Sequence, residues 1–238
     1  EDLGDGDLTR FVLNHKSASA KWIAKGDGIF CGGDLIKLIF QKIDPHVDIQ
    51  LLIEDGQKFK KNQKILEVQG PAAALVAGER VTLNVAMHLS GIATSTALLV
   101  TKLSGSNIQL ADTRKTTPGI RIFEKYAFSC GGGINHRLGL DDAAMLKENH
   151  IEWSKGIRES IKILKATIPW TKKIIVEAET PTQAKEAVEA GADGVLLDEM
   201  SIQAIEKLVP DLRQLSKTRK SKYVSQNIVI EVSGVNPN

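Results

Sequence analysis

Charged and small polar residues follow four apolar stretches in the second half of the chain, and their types suit chemistry on an anionic ligand. The residues that end these stretches are Lys147, Glu177, Asp198, and the pair Ser233 and Gly234. A charge at the end of an apolar strand is unfavourable unless it is paired or meets solvent or a ligand. Two carboxylates can hold Mg²⁺ directly or through its waters, while a lysine meets the ligand's oxygens. The alternative is a structural network in which Lys147 pairs with both acids.

A second group of cations lies in the middle of the chain. Arg114 and Lys115 follow the run NIQLAD, and His136 and Arg137 follow the three glycines of SCGGGINHRLGLDD. Glycine adopts backbone conformations that other residues resist, so these glycines would let the chain approach a ligand closely. Guanidinium groups bind carboxylates and phosphates through paired hydrogen bonds, and two of them suit a dicarboxylate.

The elements that position these residues follow from the apolar pattern. After residue 105, five short β runs alternate with helical segments, which predicts a parallel sheet. One helix has clear punctuation: Thr180 as the N-cap, Pro181 at the first position and Gly191 at the end. An α/β barrel and a doubly wound sheet both fit this pattern. In either architecture ligands bind at the carboxyl ends of the strands, where the charged residues stand.

The first part of the chain has a different pattern. Alternation and turn residues predict strands at 17–23 and 28–30, a helix in DLIKLIFQKI with Leu38 on its apolar face, and two further strands in VDIQLLIEDG and QKILEVQG. Residues 71–103 then read as a helix that is apolar on more than one side, heavily buried, with Gly91 as a candidate interruption. We therefore predict domains over 1–77 and 78–238.

Arg80 stands on that apolar helix, in the segment GERVTLN. An arginine in a buried segment needs a partner, because an unpaired buried charge is unfavourable. Glu79, a neighbouring subunit and a ligand are the candidates.

Composition excludes several classes of protein. The 31 Lys+Arg and 29 Asp+Glu residues give a net charge of +2, so there is no basic excess of the kind that binds nucleic acid. No run approaches the roughly 18 apolar residues of a membrane span, and no signal sequence opens the chain. We therefore expect a cytoplasmic protein without nucleic-acid or membrane partners. Cys31 and Cys130 form no CxxC motif, so we expect buried free thiols rather than a disulfide or a zinc site.

Several long segments resemble the carboxylating nicotinate-nucleotide pyrophosphorylase family, also called quinolinate phosphoribosyltransferase. They run in family order from Glu1 to Val235. The matching segments are EDLGDGDLT, GERVTLNVAMHLSGIAT, ADTRKTTPGIRIFEKYA, GGGINHRLGLDDAAMLKENHI, VEAET, GADGVLLDEMS and IEVSGV. The family's pattern differs at three positions: Glu148 stands in place of Asp, Glu199 in place of Asn, and Val235 in place of a second glycine of the phosphate loop.

The resemblance implies a small open α/β sandwich followed by an incomplete parallel α/β barrel, whose C-terminal end we expect to be incomplete after Asn238. It also implies the transfer of a ribosyl 5-phosphate group from phosphoribosyl pyrophosphate to quinolinate with loss of CO₂. The family works as a homodimer or larger homo-oligomer, with Arg80 reaching the neighbouring site. The reaction implies Mg²⁺ and no organic cofactor.

Residue roles are carried over by motif. The ligands of the quinolinate carboxylates are matched by Arg80, Arg114, His136 and Arg137. The residues that face the phosphates are matched by Lys115 and Lys147, and those that serve the metal and the ribose by Glu177 and Asp198. The residues beside the 5-phosphate are matched by Ser233 and Gly234. The resemblance thus assigns catalytic positions to Lys115, Lys147, Glu177 and Asp198.

Three other interpretations stay open for the sequence. One is a paralogue of the same fold, like the ModD-type proteins associated with molybdenum transport, with a different substrate. Another is a Schiff-base aldolase with Lys147 as the nucleophile and Glu177 as the acid. The third is a binding or assembly protein without catalytic activity.

Overall fold

The computed structural model describes residues 2–218 and 227–235, and the chain divides into two compact units, Glu1–Leu138 and Gly139–Asn238. Each unit has its own core and is described by itself. The first holds β1 (Ser17–Ile23), β2 (Gly28–Ile29), α1 (Gly33–Ile43), β3 (Asp48–Leu51), β4 (Lys58–Phe59), β5 (Lys64–Pro71), α2 (Ala72–Lys102) and α3 (Arg121–Cys130). The second holds β6 (Ala144–Leu146), α4 (Glu148–Trp153), α5 (Ile157–Thr167), β7 (Ile174–Ala178), α6 (Pro181–Ala190), β8 (Gly194–Asp198), α7 (Ile202–Lys217) and β9 (Val229–Ser233).

The first unit is built on a three-stranded antiparallel sheet in the order β1-β5-β3, beside a two-stranded ribbon of β2 and β4. Ile36 and Phe40 of α1 share a core cluster with Leu66 and Val68 of β5. The strands and helix predicted for this region are present. Leu38 was expected on the apolar face of α1 but is 59% exposed, because the buried stripe follows the four-residue spacing of Ile36 and Phe40.

The long helix α2 continues without a break through Gly91. The prediction of heavy burial was wrong, because only 22% of its most apolar 18-residue stretch is buried. One side packs against α1, α3 and the sheets, and the other exposes Val76, Met87 and Leu98. By length and composition alone α2 could also cross a membrane, contrary to the sequence expectation. Core helices of soluble proteins pass the same test of length and composition.

The predicted domain boundary between residues 77 and 78 falls inside α2 and stays a prediction. The compact units themselves meet at residues 138 and 139.

The second unit is a four-stranded parallel sheet in the order β6-β7-β8-β9. Each strand is added on the same side as the one before, which is the winding of an α/β barrel, whereas a doubly wound sheet reverses its strand order. The strand order therefore decides between the two architectures that the sequence allowed. It confirms the fold class, a small N-terminal α/β domain followed by a barrel-type parallel sheet. One of the five predicted β runs, NIQLAD, forms only an isolated bridge between Ala111 and Ile134.

Local sequence determines the ends of α6 as predicted. The Thr180 hydroxyl accepts a hydrogen bond from the Gln183 backbone N–H at 3.2 Å, and Pro181 occupies the first helical position. Gly191 ends the helix in the left-handed conformation at φ 89°, which glycine adopts without a steric penalty.

Both cysteines are free, as expected. Cys31 is completely buried, whereas Cys130 is partly exposed, contrary to the expectation that both thiols are buried. Although 99 residues separate them, their sulfurs lie 3.8 Å apart. Burial, with Cys130 and Asp55 close by, raises the pKa of the Cys31 thiol. That thiol is therefore protonated at neutral pH unless a cation replaces its proton.

Candidate active site

The candidate residues of the second unit share one face of its parallel sheet. Every second residue of β7 and β8 is buried in a core cluster shared with α5, α6 and α7. These residues are Val176, Ala178, Val195 and Leu197. The strand register pairs Glu177 with Leu196, so the opposite face carries the residues between the buried ones. That face contains Glu177 and Asp198, both partly exposed. The sheet thus separates an apolar side from a polar side at its carboxyl edge.

Two hydrogen bonds organise this polar face. The Lys147 ammonium donates to a carboxylate oxygen of Glu177, and the Ser233 hydroxyl donates to Asp198. Asp198 is also directly opposite Ser233 in the register of β8 and β9. The structural network considered from sequence is therefore present in part: Lys147 pairs with Glu177, and within the described residues no bond joins Lys147 to Asp198.

The turn after β9 depends on glycine. Gly234 has a φ of +71°, and a Cβ there would lie 2.9 Å from the Glu199 backbone nitrogen. The Glu199 N–H donates to the Ser233 carbonyl at 3.3 Å, so the residues after β8 and β9 are held together. Glu199 itself has a φ of +51°, a backbone angle that residues other than Gly, Asn and Asp seldom adopt.

Glu231 is an acid on the same face that the sequence analysis missed. It pairs in register with Leu196, which places it between the positions of Asp198 and Gly194 on the neighbouring strand. The other residues of the run IVIEV are all apolar. A lone charge inside an apolar strand is a signal that could have identified it.

In the first unit, residues 110–116 and 134–138 lie side by side. The Ile134 N–H donates to the Leu110 carbonyl at 2.9 Å, and the Asp112 N–H donates to the Ile134 carbonyl at 3.1 Å. This short parallel pairing brings together the two segments that carry Arg114 with Lys115 and His136 with Arg137. Arg137 is buried, His136 and Arg114 are half-buried, and Lys115 is exposed.

A buried ion pair holds these two segments together. The Lys125 ammonium, with its side chain 2% exposed, pairs with the Asp112 carboxylate and also donates to the His136 carbonyl at 3.0 Å. The same Asp112 oxygen accepts the His136 backbone N–H at 2.8 Å. Asn135, with its side-chain amide oriented to satisfy its neighbours, donates to the second Asp112 oxygen at 2.7 Å. The sequence analysis missed both charges of this pair, because only the fold brings α3 beneath the two segments.

Arg121 provides a second link between the same segments. Its guanidinium donates to the Leu138 carbonyl and to the Thr116 hydroxyl, both at 3.0 Å. Arg121 and Lys125 are four residues apart on α3, so both point from one side of that helix. Sequence reasoning gave Arg121 no role, although its i,i+4 spacing from Lys125 was visible.

The imidazole of His136 has a defined proton position. The Arg137 backbone N–H donates to its Nδ1 at 2.7 Å, so Nδ1 is an acceptor and the ring proton belongs on Nε2. A neutral His136 therefore offers an N–H donor from Nε2.

A third contact fixes the start of α3. Burial would raise the pKa of Glu124, but hydrogen bonds from Thr117 and His88 outweigh it and hold the pKa below its usual value. The His88 Nε2 lies 2.7 Å from one Glu124 oxygen, and the Thr117 N–H donates to the other at 3.0 Å. Glu124 thus anchors the TTPG turn, which follows Arg114 and Lys115, to α2 and α3.

One expectation about this unit is corrected. Arg80 is exposed, so the expectation that it lies in a buried segment was wrong. It makes no ion pair with any described residue, so Glu79 is not its partner, and the other two candidates, a neighbouring subunit and a ligand, stay open.

Close approach of the chain to a ligand at glycines 131–133 stays a prediction, and two of the three glycines are also required for packing. A Cβ on Gly131 would lie 2.4 Å from the Ala93 carbonyl oxygen, whereas Gly132 has a φ of +91° and no such close contact. A Cβ on Gly133 would lie 2.1 Å from the Phe128 ring.

The residues expected to hold Mg²⁺ suit that ion chemically. Glu177 and Asp198 provide hard oxygen donors, and Mg²⁺ usually takes one or two carboxylates together with waters and substrate phosphates. One oxygen of each acid is hydrogen-bonded to Lys147 or Ser233. Among the residues that the structure describes, none donates to the other oxygen of either acid, so that oxygen can accept from a metal-bound water. The set fits a partly hydrated ion better than a site made of protein ligands alone.

Comparisons with known proteins agree with this architecture. The family model for the N-terminal domain of quinolinate phosphoribosyl transferase matches residues 7–90, and the model for its C-terminal domain matches residues 92–237. A probable carboxylating nicotinate-nucleotide pyrophosphorylase of Bacillus subtilis is 46% identical over 199 residues, which is 83% of this chain and 69% of that protein. The corresponding Synechocystis protein is 38% identical, over 90% of this chain and 73% of its own length.

Solved structures show the same likeness. The nicotinate-nucleotide pyrophosphorylase from Francisella tularensis superimposes with a TM-score of 0.89 at 35% sequence identity, covering 98% of this chain and 78% of that one. The enzyme from Ehrlichia chaffeensis gives a TM-score of 0.86 at 29% identity, covering 98% of this chain and 89% of that one.

Proposed function

We propose that this chain, which belongs to the quinolinate phosphoribosyl transferase family, transfers the ribosyl 5-phosphate group of phosphoribosyl pyrophosphate to quinolinate with loss of CO₂. The products are nicotinate mononucleotide, pyrophosphate and CO₂, a step of NAD biosynthesis. The observation that carries the proposal is the pairing of residues 110–116 with 134–138 over the Lys125–Asp112 ion pair. This pairing holds two arginines and a histidine on adjoining segments, as recognition of a dicarboxylate requires.

The first unit binds the pyridine dicarboxylate. Arg114 and Arg137 hold its carboxylates through guanidinium hydrogen bonds, and the Nε2–H of His136 donates a third. These contacts fix the ring so that its nitrogen faces C1 of the ribose, which lowers the entropic part of the barrier. Arg80, which is exposed, extends to the corresponding site of a neighbouring copy in a homodimer or larger assembly.

We assign the activated sugar to the second unit, and Lys115 is a phosphate ligand by its family motif alone. Lys115 and Lys147 neutralise the phosphate oxygens, and the backbone at Ser233 and Gly234 holds the 5-phosphate. The carboxylates of Glu177 and Asp198 interact with the ribose and the metal.

Charge development explains the choice of residues. As the bond from C1 to the pyrophosphate oxygen breaks, its electron pair leaves with pyrophosphate and positive charge develops on the ribosyl group. Lysines stabilise the leaving group, and the carboxylates of Glu177 and Asp198 stabilise the cationic sugar. Mg²⁺, when bound through these two acids, supplies further charge neutralisation to the pyrophosphate.

Loss of CO₂ follows from bonding at the ring nitrogen. The nitrogen's electron pair forms the bond to C1, and the ring nitrogen becomes cationic. The adjacent carboxylate then leaves as CO₂, its bonding electrons remain on the ring carbon, and solvent supplies the proton that replaces it. The chain's own residues need only hold the ring and the sugar in this geometry.

We propose that the protein acts in the cytoplasm.

A labelled-CO₂ release assay tests the proposal. Quinolinate labelled in the carboxylate next to the nitrogen should release label only when the purified protein, phosphoribosyl pyrophosphate and Mg²⁺ are all present, with nicotinate mononucleotide formed in equal amount. Omission of each component is the control. Preferential turnover of nicotinate, or release of label without phosphoribosyl pyrophosphate, would overturn the substrate assignment.

A further inference from the structure

Two thiols and a carboxylate come together in the first unit, and none of them belongs to the proposed active site. Cys31 precedes α1, Cys130 is the last residue of α3, and Asp55 lies in the loop between β3 and β4. The two sulfurs are 3.8 Å apart, and a carboxylate oxygen of Asp55 lies within 4.8 Å of both. Within residues 2–218 and 227–235, this is the one group of three His, Cys, Asp or Glu side chains that meets that distance.

The spacing matches the geometry of a tetrahedral cation. With a metal–sulfur bond of about 2.3 Å and tetrahedral angles, two thiolates on one Zn²⁺ are about 3.8 Å apart. A disulfide would instead require the sulfurs to approach to about 2.05 Å. We propose that Cys31, Cys130 and Asp55 form a binding site for a thiophilic divalent cation, with Zn²⁺ as the preferred ion.

Neighbouring groups hold the three ligands in place. One Asp55 oxygen accepts the backbone N–H groups of Gly32 and Gly33, each at 3.0 Å, so the carboxylate is oriented at the start of α1. The Tyr126 phenol lies close to Asp55 and Cys130, and we assign the fourth position of the site to a solvent water. Such surrounding contacts orient metal ligands in proteins.

Exposure and charge are compatible with cation binding. Cys31 is completely buried, whereas Asp55 and Cys130 are partly exposed, so an ion enters from their side. On binding, two S–H bonds break, two metal–sulfur bonds form and two protons pass to solvent, with no change in oxidation state. Thiolate ligands favour Zn²⁺ over Mg²⁺, so this site is chemically distinct from the one at Glu177 and Asp198.

Metal titration of the whole chain tests the inference. The reduced protein, stripped with a chelator, should take up one Zn²⁺ per chain in equilibrium dialysis, measured by elemental analysis. With Co²⁺ it should show a thiolate-to-metal charge-transfer band and the visible bands of a tetrahedral site. Because the chain has only two cysteines, Zn²⁺ should also protect every thiol from a thiol reagent.

Variants separate the site from general metal adsorption. Cys130→Ser should weaken Zn²⁺ binding more than the roughly 10–100-fold caused by losing a group that only orients a ligand. Asp55→Asn should weaken it while leaving an oxygen for the N–H groups of Gly32 and Gly33, which preserves the fold. Asp27→Asn, which removes an acid outside the cluster, is the matched control and should bind as the original protein does.

The measurements on the original chain remain decisive even if a variant fails to fold. Absence of a cobalt–thiolate band in that chain would overturn the proposal. So would zinc uptake that persists in Cys130→Ser, or thiols of the reduced protein that react with the thiol reagent as fast with Zn²⁺ as without it. None of these readouts uses transferase activity, so the result is independent of the proposed function.

Discussion

At the scale of single residues, Arg114 combines partial exposure with a fixed backbone. Its carbonyl accepts from the Thr116 N–H at 2.9 Å, and its segment is tied to residues 134–138. Its guanidinium is therefore presented from a defined position, as a ligand for a carboxylate should be.

Replacing Arg114 with Ala should lower kcat/KM for quinolinate by about 30-fold or more, which corresponds to at least ~2 kcal/mol of lost transition-state binding. The physical reason is loss of a charge-assisted hydrogen bond. Steady-state kinetics with varied quinolinate measure the effect. Arg158→Ala removes an exposed arginine that pairs with Glu189 and should change kcat/KM little. Equal kinetics for both variants would contradict the assignment.

Lys125 is a positioning residue, and its replacement should mainly lower the free energy of unfolding. Lys125→Met leaves the Asp112 carboxylate, 7% exposed, without its partner, and breaking a buried pair in this way typically costs about 3–5 kcal/mol. Denaturant unfolding measures the change. Adding Asp112→Asn removes the unpaired charge and retains an acceptor for the His136 N–H, so the double variant should recover part of the loss. A double variant less stable than Lys125→Met would argue against this account.

Glu124 gives a pH-dependent prediction. Its pKa is lowered in the folded state, so its ionised form stabilises the fold above the ordinary carboxyl pKa, and this contribution disappears as pH falls through the lowered value. Glu124→Gln should therefore reduce the free energy of unfolding by about 1–2 kcal/mol at pH 7. The difference from the original protein should shrink as pH falls below about 4.

Unfolding curves across this pH range check the Glu124 prediction, with Glu189→Gln as the exposed control. A difference that stays constant from pH 7 to the acid end would show that the carboxylate's charge is not what stabilises α3.

At the scale of elements, the ends of β8 and β9 hold a conformational strain. Glu199 follows β8 with a φ of +51°, and its N–H is tied to the Ser233 carbonyl beside Gly234. A left-handed residue other than Gly, Asn or Asp is disfavoured by roughly 1–2 kcal/mol. The turn at the ends of β8 and β9 therefore requires Glu199 to adopt an unfavourable backbone conformation.

Glu199→Asn should raise the free energy of unfolding by about 0.5–1 kcal/mol, because Asn tolerates the left-handed region. Asn62 provides the reciprocal test, since its φ is +69° and Asn62→Glu should lower stability by a similar amount. Thermal and denaturant unfolding measure both changes. If Glu199→Asn is destabilising, the Glu side chain has a contact that outweighs the backbone strain.

At the scale of the whole molecule, the exposed Arg80 and the exposed apolar side of α2 bear on assembly. Arg80 has no ion-pair partner in the described part of its own chain, although its family motif assigns it to a carboxylate site. We propose that Arg80 pairs with a carboxylate of the quinolinate bound in the site of a neighbouring copy. Activity then requires the assembled oligomer.

Subunit mixing tests that idea. Arg80→Ala and Lys147→Ala proteins should each be nearly inactive, because each lacks one part of every site. After the two are unfolded together and refolded, random pairing places one intact site in half of the dimers, so activity should return to about a quarter of the original. Mixing without exchange of subunits is the control. No recovery after proven exchange would place Arg80 in the site of its own chain.

The sequence by itself determined what depends on local chemistry and spacing. The cap, the proline and the glycine of α6 are local signals, and the predicted helix has those ends. Alternation of apolar runs and helices established a parallel sheet, because parallel strands require crossovers. The motifs around Arg114 and Arg137 identified the family, and the charged strand ends lie at the sheet's carboxyl edge as predicted.

Only the tertiary structure decided what depends on pairs of distant residues. The order β6-β7-β8-β9, the Lys125–Asp112 pair and the exposure of Arg80 all arise from packing between separate segments. The approach of Cys31 to Cys130 across 99 residues of chain is the clearest case. The type of a residue determines which interactions its side chain can make. The fold determines which partner the side chain contacts, because helices and strands pack as whole elements to bury their apolar faces.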